Sequence, residues 1–263
     1  MFKRLVPEST NRNRSTGTEE IDLLLDGGVP KGNIVLLVQG EEVKYHLGLH
    51  RVFLSQGLED RERVVHVSKD HPFLSPPEVL LPALPGATTS EHEKIAWRYK
   101  SMSTTKNTTE IESTRVSRSR RFDLKKKHRN AGSVIEVGAD DLSQILADIA
   151  EALADGPARV SICSLFSPLW TATSEERSSF LFKLRGIIRT SDAICMVSIP
   201  VFLLEQFSYG YFDYVLALES NRVPSVSYDG ILETLKAPGS TGRYGVTCRS
   251  TGVQIEKIVI PPS

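Results

Sequence analysis

The residues best placed to do chemistry run from Gly40 to Leu47, G-E-E-V-K-Y-H-L, where two patterns meet. Before them Ile34–Val38 is a continuous apolar run, the sign of a strand buried on both faces of a parallel sheet. After them Leu47, Leu49, Val52, Phe53 and Leu54 recur at helical spacing, with Gly57 expected to close the helix. A glycine-rich turn in this setting cradles phosphates at a helix N-terminus. Counted from Gly40, the pattern G-x-x-x-x-G-K-[ST] asks for glycine, lysine and a hydroxyl residue where the chain has Tyr45, His46 and Leu47. Tyr45 lacks the conformational freedom of glycine, His46 is too short for a β- or γ-phosphate, and Leu47 has no oxygen for magnesium. Lys44 stands two places early and reaches an anion only in a shifted register. The stretch reads as an emptied phosphate loop, with no catalytic residue, no cofactor and no metal expected.

The second constellation is electrostatic. The formal net charge is zero, yet residues 98–129 hold 11 Lys and Arg against three carboxylates, a local excess of +8 over a body at −8. Arg115, Arg118, Arg120, Arg121, Lys125, Lys126, Lys127 and Arg129 suit the tracking of phosphates, with Phe122 available to stack on an unpaired base. The same charges also fit a solvated loop, or docking on acidic faces of neighbouring subunits. Arg98, in KIAWRYK, and the pair Arg185 and Arg189, one helical turn apart, are candidates for a subunit interface. His66, His71 and His92 have no metal-ligand spacing.

These residues need a scaffold. With 263 residues, 40% hydrophobic and 24% charged, the chain is long enough for one large domain and ordinary for a globular protein. No stretch has the length of a membrane span. Cys163, Cys195 and Cys248 lie in apolar runs and suit reduced core residues of an intracellular protein, cytoplasmic or nuclear.

In order, residues 1–14 read as a polar tail. Thr18 is expected to cap a short helix stopped by Gly27-Gly28, ahead of the first strand. RVVHVS (63–68) is a second strand; the proline-rich run after it excludes helix and central strand, and Lys69 and Asp70 follow that strand. Residues from about 100 to 131 are almost free of apolar side chains and are expected to form a flexible basic insertion. Asp140 and Ser174 are expected to cap two amphipathic helices around the strand RVSICSL, where Ser164 stands near the place of a magnesium-binding acid. AICMVSIP and DYVLALE are further strands, and 230–236, 244–249 and 253–260 predict an antiparallel meander. The alternation argues one α/β domain over 15–263, with a mostly parallel sheet ending in that meander.

The blocks STG…DLLLDGGVPKG, KIAWRY, RFDLKK, LFSPLW, FLFKLRGIIRTSDAICMVSIP, YDGILETLK and VQIEKIVIPP together resemble the family of fourth subunits of the Elongator complex. That resemblance implies a RecA-like domain with degenerate Walker A and B motifs. It further implies a heterohexameric ring with the fifth and sixth subunits, binding of tRNA, and support of the Elongator catalytic core in wobble-uridine modification. The competing class is an active RecA- or KaiC-like ATPase acting on nucleic acid, against which Tyr45, His46, Leu47 and Ser164 speak.

Overall fold

The apolar runs become a nine-stranded sheet, as seen in a computed structural model that describes residues 13–80, 121–138, 141–206, 208–221, 228–238, 241–249 and 252–258. Its strands are β1 (Ile34–Gln39), β2 (Arg63–Val67), β5 (Ile135–Val137), β6 (Ala158–Ile162), β7 (Ala193–Pro200), β8 (Tyr214–Ser220), β9 (Gly230–Lys236), β10 (Arg243–Arg249) and β11 (Gly252–Lys257). They lie in the order β11-β10-β9-β8-β1-β7-β6-β2-β5. The pairings from β8 through β5 are all parallel. Those joining β8, β9, β10 and β11 are antiparallel, which is the expected meander. A separate ribbon pairs β3 (Pro77–Val79) with β4 (Phe122–Lys127). All described residues belong to one compact unit.

The period of two along β1 divides the core. Ile34, Leu36 and Val38 point to one face, where Ile145, Ile149, Phe180 and Leu184 cover them from helices α3 (Leu142–Ala152) and α4 (Ser174–Thr190). Val35 and Leu37 point to the other, with Ile21 of α1 (Glu19–Leu24) and with Leu49 and Phe53 of α2 (His46–Glu59). Both faces of the parallel strands are covered, so their sequences are apolar throughout instead of alternating.

Several expectations shift. Helix α2 runs through Gly57 to Glu59; Gly57 is bare because a Cβ there would sit 2.8 Å from Arg159 Cδ and from Val64. The cap of α3 is Asp141, one residue after Asp140, and accepts the Gln144 N–H at 3.3 Å. Thr173, not Ser174, caps α4 and forms a capping box with Glu176. Arg14, placed in the tail by its sequence, pairs with Val29 through the backbone and with Asp192 at 2.6 Å. Of the insertion expected over about 100–131, residues 100–120 lie outside the described residues, and Phe122–Lys127 is a strand.

Candidate functional site: a closed loop beside a basic strand

The chain turns at Gly40 from β1 towards α2. A Cβ on Gly40 would strike the Leu218 carbonyl, to which the Gly40 N–H donates at 2.9 Å. The loop then carries two exposed carboxylates, Glu41 and Glu42, with Glu42 in the left-handed region at φ 61°. Carboxylates at this place oppose a phosphate group seated in the loop itself.

Two of the three residues in the phosphate-loop register, Tyr45 and His46, are turned inward, while Leu47 is half-buried and lines a cavity. Tyr45 is buried, and its ring packs where a Cβ on Gly230 would stand. Its hydroxyl lies 3.0 Å from the Glu219 carbonyl and 2.7 Å from that of Ile231, strapping the loop to β8 and β9. Burial pushes the Tyr45 hydroxyl far above its ordinary pKa. The His46 side chain folds back so that Nδ1 lies 3.0 Å from the Val43 carbonyl, and burial lowers its pKa to about 4. Lys44 is exposed and lines a cavity with Gly48 and Asp229.

Below the loop the chemistry is equally inward. The His71 carbonyl can only accept, so the His66 Nε2 at 2.9 Å carries the proton. His66 Nδ1 therefore accepts from the Ser161 hydroxyl at 3.3 Å, and that oxygen accepts the His50 Nδ1–H at 2.8 Å. Burial drives both His50 and His66 below the ordinary imidazole value, so the chain of contacts is neutral. At the carboxyl edge of the sheet Asp70 accepts from Ser167 at 2.6 Å. Ser164, at φ 52°, donates its N–H to the Ser198 hydroxyl at 2.8 Å and its own hydroxyl to Gln39 at 3.2 Å. Among the described residues no cluster of three or more His, Cys, Asp or Glu has metal-binding geometry.

The basic candidates divide. Arg98, Arg115, Arg118 and Arg120 lie outside the described residues. Arg121, Lys125, Lys126, Lys127 and Arg129 are exposed on or beside β4. Phe122 is not available to stack on a base: it is 2% exposed and anchors the ribbon in the core. Arg51 of α2 fixes that ribbon, donating to the Ser75 carbonyl at 2.7 Å and the Leu124 carbonyl at 2.8 Å. Ser55 donates to Pro77, and His128 lies 3.0 Å from Glu59 at the end of β4. Arg185 and Arg189 converge on Asp213 within their own chain, at 3.6 and 2.8 Å, and Arg189 also bonds Asn33. That brace holds α4 to the start of β8.

Sequence reasoning missed Arg159, the one Lys or Arg fully buried among the described residues. It bonds Glu62 at 2.6 Å and the Ser15 carbonyl at 2.6 Å, and lies over the Phe53 ring. An arginine opening an apolar strand, with Glu62 just before another, was the available signal. Asp22 was missed as well: it gathers the hydroxyls of Ser15 and Thr16, and burial raises its pKa.

A mostly parallel sheet with a strand–loop–helix at its carboxyl edge, extended by antiparallel strands, defines an α/β protein of an arrangement consistent with the RecA-like fold. The family model described as PAXNEB protein matches residues 4–221. The chain belongs to that family. It is similar to Elongator complex protein 4 of Dictyostelium discoideum, at 23% identity over 74% of this chain and 58% of that protein. It is also similar to Elongator complex protein 4 of Xenopus laevis, at 26% over 73% of this chain and 60% of that protein. The chain thus spans 58–60% of the length of these relatives.

Proposed function

We propose that this chain is a non-catalytic, RecA-like subunit of an Elongator accessory ring, built with the related fifth and sixth subunits, which grips tRNA for the complex that modifies its wobble uridine. Membership of the PAXNEB family and the similarity to proteins named Elongator complex protein 4 support the assignment to that complex. The observation that carries the non-catalytic reading is the inward strapping of Tyr45 and His46. The groups at the phosphate-loop positions bond to Glu219, Ile231 and Val43 instead of facing solvent. Two carboxylates, Glu41 and Glu42, stand where phosphate oxygens would need donors. The RNA grip falls to the exposed cations of β4, with phosphate contact giving affinity without sequence preference.

Native mass spectrometry of the chain co-expressed with the fifth and sixth subunits tests the assembly: a heterohexamer that retains tRNA is expected, and a monomer ignoring both partners contradicts it. Steady-state ATP turnover by the purified chain should stay at background; turnover abolished by Lys44→Ala would overturn the non-catalytic reading.

A further inference from the structure

We propose that the cavity between the first turn of α2 and strand β4 receives an unpaired RNA base, a reading that rests on the RNA grip proposed above. The cavity holds about 500 Å³, within the range of small-molecule sites, roughly 300–1,000 Å³. Its apolar walls come from Leu47, Leu74 and Leu124. Four charged residues lie on its lining: Arg51, engaged with the Ser75 and Leu124 carbonyls, Glu42, and the pair of opposite charges Lys44 and Asp229. One Asp229 oxygen is fixed by the Cys248 N–H at 2.6 Å. Apolar walls with a carboxylate to accept ring or amino N–H groups and an ammonium to donate to a carbonyl match a nucleobase, with its apolar faces and polar edge.

The argument for this occupant over a protein side chain is charge and continuity. Leu124, in the wall, belongs to the basic strand; Lys126 is two residues on and shares its face, and Lys125, Lys127 and Arg129 are exposed beside it. A polyanionic backbone drawn along β4 carries its bases past the cavity mouth, and single-stranded RNA is recognised by splaying bases out of the stack.

Cys248 lines the cavity and is half-buried, whereas Cys163 and Cys195 are buried, so its alkylation reports on occupancy. The rate is measured by mass spectrometry on the full chain. It is read alone, with a short single-stranded RNA, and with a ribose-phosphate strand of equal length lacking bases. A second probe is Gly48→Leu, which grows a side chain from α2 at the cavity wall. The nearest atom to a Cβ there is Val253 at 3.5 Å, and leucine favours a helix over glycine, so the fold is retained. The expected result is alkylation slowed about tenfold by RNA and unchanged by the abasic strand. Gly48→Leu should cost about tenfold in RNA affinity with an unaltered salt slope. RNA binding with a steep salt slope but full Cys248 reactivity would overturn the base pocket and leave the grip standing. Absence of RNA binding at low salt would overturn both. Protection of Cys248 by a partner subunit without RNA would assign the cavity to a protein anchor and overturn the proposal.

Discussion

The loop at Gly40–His46 and the strand at Phe122–Lys127 spend their polar groups in opposite directions. In the loop, Tyr45 and His46 are buried and bonded to backbone carbonyls, and the histidines beneath are linked through Ser161. In the strand, Phe122 is buried while Lys125, Lys126 and Lys127 are in solvent. A side chain that completes the fold is not free to bind a ligand, so on the reading proposed above Tyr45 and His46 serve the structure, while Lys44 and Leu47 line the neighbouring cavity. The region that looks like mere solvated charge is available for binding. Substitution should therefore damage stability in the first region and binding in the second.

The largest effect is expected just behind the loop. Arg159→Ala strips the largely buried Glu62 of one of its two cations, leaving Arg14 at 3.3 Å, and should destabilise the chain by roughly 3 kcal/mol, the lower end for breaking a buried pair. Urea unfolding followed by circular dichroism measures it; a loss below about 1 kcal/mol would show that water compensates the site.

Acid should act on the same region. Above pH ~7.5 the buried histidines are neutral in both folded and unfolded chains, so stability is at its full value. As pH falls towards 4 the unfolded chain takes up protons that the fold refuses. His46 alone should then remove about 3 kcal/mol by pH 4. Asp22, raised by burial, binds its proton more readily in the fold and offsets part of this at the acid end. Unfolding midpoints across this range should decline for the wild type and decline less for His46→Gln; parallel curves would remove His46 from the account. Tyr45→Phe should cost a further step down, about 1–2 kcal/mol from one lost hydroxyl donor to Glu219 and Ile231, read in the same assay.

Much of the scaffold was legible because its signal is strong. The runs IVLLV, RVVHV, AICMVSIP and YVLALE are buried on both faces, and each is a strand in the parallel half of the sheet. Strand β4 was not legible, because three consecutive lysines give no alternation and one buried aromatic, Phe122, with Arg51 reaching across from α2, suffices to order it. Gly57 reads locally as a helix stop; its true cause, the Arg159 side chain more than 100 residues away in sequence, is tertiary. At the loop, residue types revealed what was missing, a lysine and a hydroxyl, but not what Tyr45 and His46 do instead. The pair His46 and His50, one turn apart on a buried helix face, was the overlooked sign that polar groups there serve the core.

The most direct test is the salt dependence of tRNA binding by the assembled ring, with wild-type chain and with Lys125, Lys126 and Lys127 replaced by Ser. Because these side chains are exposed, stability should change by less than about 0.5 kcal/mol. If all three neutralise phosphates, the slope of log K against log salt should shrink by roughly two to three, with affinity falling most at low salt. Parallel slopes and equal affinities would contradict the central claim that the basic strand grips the RNA backbone.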